Sequence, residues 1–103
     1  MLKISEVYEK QIKTTQEHPN GSEIPVFEKV LDSRECLISR DYIVSVHPFE
    51  YTSSSDQTKA EAAFPSGTKF STLIIDGNSF RKSEIVVVGS FDRFCRLLQE
   101  NIP

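Results

Sequence analysis

A chain of 103 residues carrying 38% hydrophobic and 26% charged residues has room for one domain with a single core, and its composition argues against disorder or a fibrous repeat. A net charge of -3 weighs against long nucleic acids, whose binders show a broad basic face. One small anionic ligand stays within reach, because a single arginine and a few backbone amides neutralise a phosphate locally.

No apolar run is long enough to span a bilayer, and the first six residues carry charge where a signal peptide needs an apolar core, so a cytoplasmic protein without a membrane partner is expected. Cys36 and Cys95 lie far apart, with no CxxC or Cys/His spacing around either, and read as free core thiols.

In chain order, Ile4, Val7, Tyr8 and Ile12 recur at helical spacing among charged residues and predict an amphipathic helix over residues 2–16. So short a helix is marginal alone, which suggests an anchoring or oligomerisation arm. His18, Pro19, Asn20 and Gly21 would end it. The pattern then changes to short apolar runs at 25–31, 35–38 and 42–47, read as three strands joined by the polar connections 32–34 and 39–41. Residues 48–69 show little periodicity and are expected to be a long loop, although Phe49, Tyr51 and Phe64 give it something to bury. Residues 68–76 and 80–88 read as a hairpin. After Gly89, Ser90 is placed to cap a last helix over 91–100, where Phe91, Phe94, Cys95 and Leu98 share a face. The expected fold is therefore α+β: an N-terminal helix, a mostly antiparallel sheet of about five strands, and a C-terminal helix packed on it. The single domain spans 1–103, with its core in 24–103.

Chemistry is sparse. The two histidines, His18 and His47, both precede prolines, and neither has a nucleophile and acid at motif spacing. His47 at a strand end reads as a boundary residue before it reads as a general base. No set of three or four metal ligands, no GxGxxG, P-loop or nucleophile elbow is visible, so neither metal, cofactor nor enzymatic turnover is expected. The turn between the last two strands is different. Gly77 and Asn78 let the chain reverse, but a hairpin does not require Asn78, Ser79 and Arg81 within four residues, and together these offer donors for phosphate and ribose oxygens. Phe70, Arg40, Arg93 and Arg96 are further candidates for stacking on a base or holding phosphate.

Residues 34–38 and 46–48, then Gly77, Asn78, Ser79, Phe80 and Arg81, the strand 84–88, and Gly89, Ser90 and Phe91 opening a helix together resemble the phage-encoded Thoeris anti-defence sponge proteins. The first sixteen residues look like that family's anchoring helix. The resemblance implies a phage protein in the bacterial cytosol that sequesters a cyclic ADP-ribose isomer without cleaving it. Some members also hold the cyclic di- or trinucleotides of CBASS immunity, and they assemble as dimers or hexamers. Carried over by position, Gly77, Asn78 and Arg81 match the ligand-contacting turn, while Phe70, Arg40, Arg93 and Arg96 would supply stacking and phosphate contacts. The competing expectation is a protein-interaction module that docks through a sheet edge and the aromatic-bearing loop.

Overall fold

The computed structural model describes residues 1–76 and 83–99. Its dominant element is a hairpin of two 16-residue strands, β1 (Leu2–Glu17) and β2 (Glu23–Ile38). The two strands pair in unbroken antiparallel register from Leu2 opposite Ile38 to Glu17 opposite Glu23. The expected N-terminal helix over 2–16 is thus a strand. Ile4, Tyr8 and Ile12 lie four apart and fit a period of two as well as 3.6, so their spacing does not choose between helix and strand. The β-branched residues Ile4, Val7, Ile12, Thr14 and Thr15 favour the extended form, and β2 supplies a ladder partner at every position. Asn20 and Gly21, read as a helix stop, are instead the hairpin turn. Gly21 takes a φ of 84°, the Asn20 side chain accepts from the Ser22 N–H at 3.1 Å, and the His18 N–H donates to the Ser22 carbonyl at 2.8 Å.

The runs 25–31 and 35–38 also merge. Asp32, Ser33 and Arg34 continue β2 because each faces a residue of β1, and polar side chains at an open edge keep their water. The third expected strand is present as β3 (Ile43–Phe49), after a 3₁₀ turn at Arg40–Tyr42. Inside the expected loop 48–69 lies a helix, α1 (Ser54–Ala63), whose cap residue Ser53 accepts from the Asp56 N–H at 3.1 Å. Its lack of an apolar stripe is why no periodicity announced it. Strands β4 (Phe70–Ile75) and β5 (Glu84–Val88) pair antiparallel, and α2 (Phe91–Gln99) follows, with the Ser90 hydroxyl accepting from the Arg93 N–H at 3.2 Å. The result is an α+β fold with one antiparallel sheet in the order β2-β1-β5-β4-β3 and the C-terminal helix packed on it.

Both faces of the sheet are covered at its β5-β4-β3 end. One carries the core of Leu2, Ile4, Ile38, Leu73, Ile75, Ile85 and Val87 against Phe94 of α2. On the other, Val7 and Thr72 are buried, and Phe49, Tyr51, Phe64 and Phe70 form an edge-to-face aromatic chain beside α1. Glu6, 8% exposed, lies opposite Arg34 and accepts its Nε at 2.9 Å, while that guanidinium lies 4.7 Å from the centre of the Tyr8 ring.

Strand β5 pairs with β1 only at Glu6 and Val7. Beyond that point, among the described residues, 8–17 and 23–32 have only each other as ladder partners. Ten residues of strand reach about 33 Å, and the molecule measures 69 × 30 × 20 Å. Its radius of gyration of 17.5 Å compares with about 13 Å for a compact chain of this length.

Candidate functional site

The expected site residues fall in separate places. Gly77, Asn78, Ser79 and Arg81 lie outside the described residues. The residues flanking them are fixed: the Asp76 N–H donates to the Tyr42 carbonyl at 2.9 Å and the Ile75 N–H to that of Ser83 at 2.8 Å, which sets this end of β4 and β5 beside the 3₁₀ turn. In that turn the Ser39 hydroxyl accepts from the Asp41 N–H, and Arg40 is held half-buried at the mouth of an open groove of about 580 Å³ between β3 and α2. Phe91, Cys95, Leu98 and Gln99 line it from one helix face, and Asp41 lines it as well. An anion with a planar apolar part suits such a lining.

The other candidates are elsewhere. Phe70 sits on the opposite sheet face with Tyr51 at 5.2 Å and Phe64 at 5.3 Å, centroid to centroid, and lines two open depressions of about 270 and 370 Å³ there, away from Arg40. Arg93 lines a smaller depression of about 270 Å³ with Lys3, Ile4 and Glu35, on the β1 side of α2. Arg96 is exposed on the same helix. Arg40, Arg93 and Phe70 therefore do not converge on one ligand.

Groups with reactive potential are dispersed. The exposed His47 Nε2 lies 3.0 Å from the Ser45 hydroxyl. Cys36 and Cys95 are free and half-buried, and burial pushes the Cys36 thiol above its ordinary range, away from the reactive thiolate. Among the described residues no group of three His, Cys, Asp or Glu could hold a metal ion, and no helix is long and apolar enough to cross a membrane.

Where the sequence suggests a helical arm, the structure has a two-stranded one, residues 8–17 and 23–32, and its edges have a definite chemistry. The 18/22 pair is hydrogen-bonded, and antiparallel ladders alternate bonded and non-bonded pairs. Even-numbered residues of β2 therefore bond to β1, and odd-numbered residues turn their N–H and C=O outward. Pro25 falls on the outward set, where its missing N–H breaks nothing. At Ser33 the outward N–H is taken by the adjacent Asp32 carboxylate at 2.8 Å, itself held by Lys10 at 2.6 Å. The Lys10 ammonium, and then the Ser33 amide, hold the Asp32 carboxyl below its usual range. Between these two stops, Phe27, Lys29 and Leu31 present an open strand edge, with Phe27 60% exposed. On one face of the arm Ile12, Ile24, Val26 and Val30 alternate with Lys10, Thr14, Gln16 and Glu28, on the same side of the sheet as the core residues Leu2 and Ile4.

Comparison with known proteins finds no matching family model, no matching curated protein and no matching solved structure.

Proposed function

We propose that this protein is an interaction module that completes its sheet with another polypeptide laid along the edge of β2. The observation that carries the reading is the β1–β2 arm, which runs on past the sheet with only itself as ladder partner among the described residues. A two-stranded ribbon is marginal in water; α1 and the Lys59–Glu9 ion pair at 3.1 Å support it at its base, and its open edge is a template for a further strand. Main-chain bonds would supply affinity, and the alternating side chains Phe27, Lys29 and Leu31 would supply selectivity on one face.

The test is selection from a displayed library of extended peptides, then titration of an enriched peptide against the full chain and a variant with residues 9–31 replaced by Asn-Gly. That variant closes the hairpin at Tyr8 and Asp32 and keeps every core residue. Micromolar binding by the full chain, lost in the shortened one, is expected. Peptides that bind both equally, or none enriched over the shortened chain, would refute the reading.

A second reading draws on the Arg40 groove: sequestration of a cyclic ADP-ribose isomer or a cyclic oligonucleotide without cleavage, as the resemblance implies. A half-buried arginine that lines one groove with Phe91, beside the end of β4 that the Asp76 N–H ties to the Tyr42 carbonyl, suits a doubly anionic nucleotide. Calorimetric titration with each compound, followed by analysis of what heat denaturation releases, tests it. Binding with intact release, lost in Arg40→Ala, is the expected result; an altered released molecule or no binding refutes it.

A further inference from the structure

We infer that the polypeptide laid along β2 is the β2 strand of a second copy of this chain, antiparallel about a two-fold axis at Leu31. This rests on the sheet-completion reading and names its partner.

Strand β2 is a long edge, 16 residues from Glu23 to Ile38, whereas the sheet's other edge is the 7-residue β3. A symmetric antiparallel pair must place residues of like parity opposite each other, because only odd-numbered residues bond outward. Using nearly the full strand leaves two registers, centred on residue 30 or residue 31. Centred on 30, Glu28 faces Asp32 of the other copy twice, and like charges directly opposite destabilise a ladder. Shifting the centre instead to residue 32 sets Asp32 against itself.

Centred on Leu31, no like charges face each other. Glu28 meets Arg34 at two symmetric positions, Ile24 meets Ile38, Val26 meets Cys36, and Leu31 meets its own copy on the axis. Arg34 is 56% exposed in its side chain while bonded to Glu6, which leaves guanidinium donors for a second carboxylate. Ile24 and Val26 of each arm then lie beside Ile38 and Cys36 of the other copy and extend its core face. The register has two local costs. Pro25 withholds one donor near each end. The Ser33 amide must turn from Asp32 to the facing carbonyl, while Lys10 keeps its hold on the Asp32 carboxylate.

Sedimentation equilibrium on the full chain tests the pairing, and cysteine cross-linking in a Cys36→Ser, Cys95→Ser background tests the register. Across the axis Leu31 and its copy stand about 5.5 Å apart at Cα, within disulfide span, whereas two copies of Lys29 are separated by four strand residues, roughly 13 Å. The expected results are a monomer–dimer equilibrium, a covalent dimer from Leu31→Cys but not from Lys29→Cys, and association weakened by about tenfold or more in Glu28→Lys, which sets lysine against Arg34 twice. A monomer at every concentration, or a cross-link at Lys29 in place of Leu31, would overturn the inference. If the chain is monomeric yet binds enriched peptides through the arm, the second copy is the wrong partner and the sheet-completion reading stands. If it is monomeric and binds none, both fall.

Discussion

Replacing Gly89 by alanine should destabilise the domain severely, because two independent penalties meet at that residue. Its φ of 136° lies where L side chains are rarely found, at a cost of about 1–3 kcal/mol. A Cβ built there would approach Phe94 Cε2 to 2.7 Å. Phe94 is 2% exposed and anchors α2 to the sheet, so its ring cannot move without disturbing the core, and overpacking of this kind costs about 1–3 kcal/mol more. The chain cannot relax easily either: the Gly89 N–H donates to the Lys69 carbonyl at 2.8 Å and its carbonyl accepts from the buried Ser71 hydroxyl at 2.8 Å. A loss of about 2–6 kcal/mol is a large part of a small domain's stability. Read by urea unfolding, with a slope of roughly 1–3 kcal/mol per molar, it lowers the midpoint by at least about 0.7 M. Gly67→Ala is the internal control, since Gly67 has a φ of 83° but open space around a built Cβ, leaving only about 1–2 kcal/mol of backbone strain. Equal midpoints for the two variants would refute the assignment of Phe94 as the clash that matters.

Other outcomes follow from the same packing. Leu73→Ala, at a position with no exposed surface, should cost about 2–5 kcal/mol in the same assay. Ser71→Ala leaves the Gly89 carbonyl without its buried donor and should cost about 1–3 kcal/mol. The Lys10–Asp32 pair makes the arm sensitive to pH. The Asp32 carboxyl is held below its ordinary 3.8, so the contribution is complete above that value and fades as pH falls through the lower folded value; Lys10 is raised above 10.5, so at the alkaline end it persists until pH rises past the folded value. A carbon-detected titration should place the Asp32 midpoint below 3.8 and return it upward in Lys10→Ala; a midpoint unchanged by that substitution would contradict the pairing.

The parts of the fold that were legible in sequence are those where only one period fits. Residues 84–88 and 91–99 each match a single template, strand and helix, and the antiparallel sheet with its C-terminal helix followed. The first sixteen residues were not legible, because apolar residues at 4, 8 and 12 satisfy both periods and the deciding partner lies across a turn in β2. The break expected at residues 32–34 failed for a related reason: Asp32, Ser33 and Arg34 look like a turn by composition but occupy an edge strand, where polar side chains are tolerated. Helix α1 has polar residues on every side and was invisible to periodicity. The arginines were selected by residue type, and type carries no information about which side of α2 or of the sheet a residue occupies. Arg40 and Arg93 consequently end up on opposite flanks of one helix.

Residue-resolved amide exchange on the full chain, alone at low concentration and then saturated with an enriched strand peptide, tests directly whether the edge of β2 takes up a further strand. In the free chain the N–H groups of Glu28 and Val30, which bond to β1, should exchange more slowly than those of Phe27, Lys29 and Leu31 on the open edge. Saturation should slow Phe27, Lys29 and Leu31 selectively. If the added protection appears at β3, around the Arg40 groove, or at no backbone amide of β2, the chain does not work by completing its sheet at that edge.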